Sequence, residues 1–475
     1  TSGMIRVPEA DFKGQPLRIE RRLAKDYKTI PDWKPLAAQS RYEDIQQAAE
    51  PMLENGVYTA SARQDALGRV TEVALPDGTV FHPAYDEANM LASLSVRLAG
   101  RDAAAEFLKA QQFNAKGQRL LARFGNDTTT RYTYQPDTHR LRRAFTVREG
   151  ADPAADALQD LHYVYDPAGN IVQIRDDAQQ THFFRNSVVK PENRYEYDAM
   201  YQLIRATGRE HAGVPNDAVR GGEDLGFIAP LPHPNDEGAV RTYTEEYEYD
   251  VLGNLTLLRH RCGGQGWTRR YRYRYESDPS DGTNRLASTS VPGDAEDGPF
   301  SAAYDYDIYG NMTRMPHLSD MAWDFMDRLR KADLGGGGTA YYVYGADGQR
   351  VRKVIERPGG LRSERIYMGA VEYYREYQEG ASPHLERKTL HISDQAGRIA
   401  QVDVKTRDDR NLDPANPTGV PLIRYVFGNH LGSAMLETDE TGAVISYEEY
   451  HPFGTTAYRS AKPGVDLSLK RYRFS

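Results

Sequence analysis

A single cysteine, Cys262, stands among 475 residues, which excludes an internal disulfide and any thiolate metal cluster drawn from this chain alone. No apolar run approaches the roughly 18 residues of a membrane-spanning helix, and the first residues, Thr1 to Val7, lack the charged and apolar regions of a signal peptide. Basic charge is short as well. The net charge of -8 and the pI near 5.9 leave no electrostatic footprint for nucleic acid, so direct binding of DNA or RNA is not expected. Also missing are a His-Glu-x-x-His motif, zinc-finger spacing and a Walker sequence; the run Gly335 to Gly338 lacks the following Lys-Ser/Thr of a phosphate cradle. Phenylalanine is scarce, 14 against 32 tyrosines. Tyrosine can bury its ring while its hydroxyl reaches water or a partner. With 39% hydrophobic residues and a mean hydropathy of -0.71, that bias suits antiparallel sheets whose faces tolerate water.

What the chain does contain is a phrase repeated with drift. An aromatic pair precedes an Asp, a short turn ends in Gly-Asn, and alternating residues follow. The copies centre on Tyr165, Asp166 and Gly169, on Tyr249, Asp250 and Gly253, and on Tyr306, Asp307 and Gly310. Tyr197 and Asp198 head a further copy, Asp86 marks another, and degenerate versions run from Tyr132 to Asp137 and from Tyr342 to Gly348. Asp supplies a side-chain acceptor for the following amides and Gly supplies a positive φ, so the phrase closes a hairpin for a physical reason. The Val, Ile, Tyr and Thr that follow fit a pleated surface. The pattern predicts an all-β chain of antiparallel hairpins, quasi-one-dimensional, whose function follows from the surface it forms.

Residues 1–56 differ in texture. Pro8, Pro16, Pro31 and Pro35 break them up and Arg41 to Glu50 has helical character, so they read as an irregular lead-in with one short helix. Residues 57–420 carry the repeats, and 421–475 form a distinct C-terminal block. Segments around Gly213–Arg241, Ser277–Gly282, Gly335–Gly338 and Thr406–Pro421 read as surface insertions. The abrupt ends at Thr1 and Ser475 suggest a piece of something longer.

The phrase resembles the YD repeat of the RHS family. The block from Arg424 to Gly454, with Asn429, His430, Leu431, Gly432, Ser433, Pro452, Phe453 and Gly454, resembles the opening of the RHS-repeat-associated core. The block from Lys190 to Glu210 is similar to C subunits, or fused B-C proteins, of insecticidal Tc toxin complexes. The resemblance implies a β-strip spiralling into a hollow shell around a C-terminal toxin, with residues 421–475 as the start of the core. It implies a bacterial protein made in the cytoplasm and then secreted or delivered. Its partners would be the enclosed toxin and a Tc B-type subunit or secretion-system component, with no cofactor or metal. The family's aspartate-dependent self-cleavage motif normally lies beyond the equivalent of Ser475, so no catalytic residue is assigned and enzyme activity is not expected of these residues alone. An extracellular adhesive or glycan-binding module, and the first part of an aspartic autoprotease completed downstream, are the alternatives.

Candidate chemistry is thin. Cys262 shares a strand face with His260, as a nucleophile and base would, but no orienting acid is evident and a surface turn is the preferred reading. His430 near Ser433 imitates a hydrolase pair, yet its place predicts a strand-turn segment. Asp278 to Asn284 resembles a calcium loop without the distal Glu. The pairs Asp176-Asp177 and Glu448-Glu449 read as solvated faces, because neighbouring strand residues cannot flank one bond. Asp44 and Glu50 read as solvated helix charges, and the phrase tyrosines as packing units that tie hairpin to hairpin.

Overall fold

A computed structural model describes residues 2–152, 155–213, 238–277, 282–380, 382–412, 414, 416–462 and 470. The calcium-loop imitation lies largely outside them, as does most of the 213–241 insertion. The regular structure of the described residues is almost all antiparallel strand, the all-β class the alternation predicts. It divides into two compact units, one made of Thr1–Phe107 and Asp305–Ile423 and the other of Leu108–Tyr304 and Arg424–Ser475.

In the first unit, strands Gly3–Ala10, Pro16–Leu23, Tyr58–Gln64, Val70–Ala74, Val80–Tyr85 and Leu91–Arg97 each pair antiparallel with the next. A second meander runs from Met321–Trp323 to Gly397–Asp408. Tyr58 packs on Tyr373 at 5.4 Å and Tyr27 meets Tyr341 edge-on at 5.8 Å, so the two meanders share aromatic contacts. Leu23, Leu53, Val96, Ile366 and Ile392 are buried in this unit.

The lead-in is a correction to the sequence reading. It opens as a hairpin, not as irregular chain, because Asp11-Phe12-Lys13-Gly14 is itself an Asp-x-x-Gly turn: the Asp11 amide donates to the Gln15 carbonyl and the Gly14 amide to the Asp11 carbonyl. The prolines do not forbid it. Pro8 falls at a register shift between Arg6 and Glu9, and Pro16 is the first residue of its strand. Helices Lys34–Ala37 and Tyr42–Ala49 follow. Gly335–Gly338 is likewise a tight turn joining paired strands rather than an insertion, with the Leu334 amide donating to the Gly338 carbonyl.

The second unit carries the long meander from Arg119–Phe124 through Thr128–Tyr134, Leu141–Arg148, Ala157–Tyr165, Ile171–Asp176, Glu192–Tyr197, Leu203–His211, Val240–Tyr249 and Leu255–Cys262 to Gln265–Tyr273. The C-terminal strands Ala434–Thr438, Val444–Tyr450 and Thr456–Ala461 pair with one another, and the last of them lies against Leu203–His211 of the meander. Phe124 meets Phe427 edge-on at 5.3 Å, Tyr163 meets His430 at 5.3 Å and Tyr247 meets Phe453 at 5.3 Å.

The phrase proves to be one recurrent device. The Asp166 amide donates to the Asn170 carbonyl, the Gly169 amide to the Asp166 carbonyl, and the Asn170 amide to Asp166 Oδ1. Asp198, Asp250 and Asp307 repeat this with Gln202, Asn254 and Asn311. Gly169, Gly253 and Gly310 hold φ of 112°, 85° and 95°; Tyr201 takes that position in the Asp198 turn at φ 63°. The tyrosine before the turn then reaches the preceding hairpin. Tyr165 donates to the Leu141 carbonyl, Tyr197 to Ile171, Tyr249 to Leu203, Tyr273 to Leu255, Tyr344 to Leu329 and Tyr450 to Ala434, all at 2.8–3.0 Å. Each acceptor is the first residue of the strand that leaves the previous turn. Where tyrosine is replaced, Trp323 Nε1 makes the same bond to the Met312 carbonyl at 2.8 Å. Hairpin is thus fastened to hairpin by a polar bond as well as by the ladder.

Candidate functional site

Among the described residues, a dense grouping of buried ionisable side chains lies in the second unit, where three repeat strands meet the C-terminal turn. Strand pairing sets it up: Glu210 stands opposite Arg241, and Glu245 opposite His260, on consecutive neighbouring strands. Glu210 is fully buried, and Glu245, His260 and His451 are nearly so. His260 Nε2 lies 3.1 Å from Glu210 Oε2, and His451 Nε2 lies 3.2 Å from the same oxygen. The other carboxylate oxygen of Glu210 accepts from Arg241 Nε at 2.7 Å. His260 Nδ1 is 3.2 Å from Glu245 Oε1, whose second oxygen accepts from the Tyr247 hydroxyl. His451 Nδ1 is 2.8 Å from Thr455 Oγ1. Aromatic rings wall the cluster: His260 stacks between Trp267 at 5.3 Å and Tyr243 at 5.6 Å, and Tyr243 meets His451 at 4.6 Å.

The electrostatics follow from this crowding. Burial opposes a charged His260, but bonds to Glu210 and Glu245 outweigh it and carry its pKa up to about 9. Burial would raise Glu210, yet the two histidines hold it well below the usual carboxylate range. The neighbouring Cys262 is buried at the end of its strand, which corrects the surface-turn reading. Burial, then the charge of Glu210, pushes its thiol up to about 12. A protonated thiol is a poor nucleophile, and His260 is engaged with two carboxylates.

A second buried network lies beside it. Arg209 binds Glu449 through Nε at 2.9 and 3.0 Å and through Nη2, with both side chains under a tenth exposed. The Tyr447 hydroxyl bridges Glu449 Oε1 at 2.9 Å and Asp176 Oδ2 at 3.2 Å. Burial, with the Glu449 charge adding to it, raises Asp176 to about 6. Glu448 is fully buried and its Oε1 accepts from Thr456. Asp176, Glu448 and Glu449 are therefore not solvated faces, as their sequence positions suggest; of those four carboxylates only Asp177 is exposed to that degree. The alternation placed them correctly on strands, but both faces of Val444–Tyr450 are covered and Asp176 lies on the covered face of Ile171–Asp176.

The structure separates the other expected residues from this cluster. Tyr165, Asp166, Gly169, Tyr197, Asp198, Tyr249, Asp250, Gly253, Asp307 and Gly310 belong to the turns and their fastening bonds, and Tyr306 pairs with Met312. Asn429 takes the Asp position of a further turn: Leu431 and Ser433 donate to its Oδ1, and Gly432 holds φ 84°. Burial lowers the pKa of His430. Pro452, Phe453 and Gly454 complete one more turn, in which the His451 amide donates to the Thr455 carbonyl. His451 is the residue the sequence reading passed over. The signal was there, since after Tyr450 the phrase demands an Asp and this chain has a histidine.

Repeated Asp turns, tyrosine fasteners and an all-β meander joined by the Asn429 to Gly454 block define an all-β hairpin-repeat protein. No protein-family model matches the chain. It is 32% identical over 492 aligned residues to toxin subunit YenC2 of Yersinia entomophaga, covering 100% of this chain and 47% of that relative. To YenC1 of the same organism it is 31% identical over 430 residues, covering 88% of this chain and 42% of the relative. The solved TcdB2-TccC3 structure superposes with a TM-score of 0.80 at 27% identity, over 99% of this chain and 21% of that one. A Photorhabdus luminescens Tc holotoxin pore superposes equally well, with 0.80 at 28%. The chain is thus similar along its whole length to subunits of Tc toxins, and it spans about half the length of the curated relatives it matches.

Proposed function

We propose that this chain is wall material: the part of a Tc-type toxin shell that encloses a C-terminal effector and helps deliver it, with no catalysis of its own. The match of this whole chain to about half of toxin subunit YenC2 carries this reading. Two features support it. Fastened hairpins give a sheet that grows by addition, the property a container needs, and one similar structure is that of TcdB2-TccC3 without its hypervariable C-terminal region, which fits a variable passenger following a constant wall. A strip closed around a lumen would also remove exposed strand edges, an aggregation hazard in sheets this long. Its partners would be the enclosed effector and a B-type subunit completing the shell, and the assembly would act after secretion or delivery from a bacterium.

The test is to express the gene with its native downstream sequence and B-type partner and to treat the assembly with protease. Enclosure predicts that the downstream segment resists digestion until the wall is denatured. Digestion of that segment at the same rate with and without denaturant would reject enclosure. A denaturing gel of the same sample reads self-cleavage, as two pieces or one.

A further inference from the structure

The enclosing role makes no use of the cluster around Glu210, and the cluster has the form of a metal centre. Two imidazole Nε2 atoms converge on one carboxylate oxygen, at 3.1 and 3.2 Å. All three ligand atoms lie within 4.8 Å of one another. An ion held tetrahedrally with bonds of about 2.0–2.1 Å has ligand-to-ligand edges of about 3.3 Å, so the two edges from imidazole to carboxylate stand at nearly the separations of coordination. The remaining ring nitrogens are already held from behind. Glu245 faces Nδ1 of His260 and Thr455 faces Nδ1 of His451, the outer contacts that fix the tautomer and direction of a ligating histidine.

We propose that Glu210, His260 and His451 bind a divalent transition metal of the zinc class as a structural staple. The donor set, two imidazoles and a carboxylate, is one that zinc accepts. Binding replaces the protons between the two Nε2 atoms and Glu210, so protons are released as the ion enters. The fourth position falls to water or to Cys262, the chain's one cysteine, which is buried two residues beyond His260. The ligands come from strands Leu203–His211 and Leu255–Cys262 and from the turn after Val444–Tyr450. The ion would therefore pin the C-terminal block to residues some two hundred positions earlier, fixing the turn formed by His451, Pro452, Phe453, Gly454 and Thr455.

The experiment uses the purified chain, stripped with chelator and dialysed against Zn2+, with bound metal counted by elemental analysis. One equivalent per chain is expected, with a rise in the unfolding midpoint, and both should be lost in Glu210→Gln and His451→Gln. His162→Gln serves as control, because Asp160, His162 and Asp177 form a second, partly exposed grouping; it should keep the equivalent. Titration of the parent protein with Co2+ needs no variant. A tetrahedral visible band supports the site, and an added sulfur charge-transfer band that disappears in Cys262→Ser assigns the fourth ligand. No stoichiometric metal and no cobalt band in the parent, or loss of the metal in His162→Gln alone, overturns the proposal.

Discussion

Replacing Arg209 by Met should be among the most damaging single changes in the second unit. Its guanidinium is 1% exposed and makes three bonds to Glu449, while Nη1 donates to the Gln180 carbonyl at 3.2 Å. Methionine fills much of the volume but leaves Glu449 buried with the Tyr447 hydroxyl alone, in a pocket already shared with Asp176. Removing one partner of such a pair costs about 3–5 kcal/mol, because the remaining charge has neither water nor counter-ion. The pair itself contributes far less than that. Taking two charges out of water nearly cancels their attraction, so the double variant Arg209→Met/Glu449→Leu should lie within about 1–2 kcal/mol of the parent. Unfolding in guanidinium, read by circular dichroism on the parent, both singles and the double, closes the cycle and should give a coupling of at least about 4 kcal/mol. If the two single losses simply add in the double variant, the account of this network is wrong.

Asp176 titrates in the folded chain near 6, above its unfolded value of about 3.9, so its contribution to stability is full below about pH 4 and is lost as pH rises through 6. Asp176→Asn can still accept the Asp160 and Ala178 amides and should gain up to about 3 kcal/mol at pH 8 while matching the parent near pH 4; parallel pH profiles for the two proteins would contradict the shift. Gly253→Val forces a β-branched residue to φ 85° and should cost about 2 kcal/mol, with Gly253→Asn losing less because Asn tolerates that region; equal unfolding midpoints for Val and Gly would refute the turn argument. Tyr249→Phe removes only the bond to the Leu203 carbonyl and should lower stability by about 1 kcal/mol. An unchanged midpoint would show that the fastening bond contributes nothing net.

The hairpins were legible because their cause is local. Asp250 and Gly253 carry in four residues everything the turn needs, and the tyrosine before them marks the strand. Even Asp11 to Gly14 obeyed the rule and was hidden only by the prolines around it. The buried charges were illegible for the opposite reason. In a period-2 pattern Glu449 and Asp176 look like solvent-facing residues, and what covers them comes from strands more than two hundred positions away in sequence. His260 drew notice beside Cys262, but Glu210 and His451 acquire meaning only once three distant segments are brought together. The one local clue to the cluster was a departure from pattern, histidine where the phrase wants aspartate.

The two margins of the second unit's meander are built under different rules. Along one margin the exchanges at Asp166, Asp198 and Asp250 pass through one five-residue corner and that at Gln135 through a corner one residue longer, and each corner is tied to the one before it by a tyrosine, so a change of length there touches two hairpins at once. Along the other margin the joins range from the Gly263-Gly264 step to the whole stretch between His211 and Val240. Natural variation in length, and any tag or reporter an engineer wishes to insert, should therefore be accommodated far more readily at the second margin than at the first.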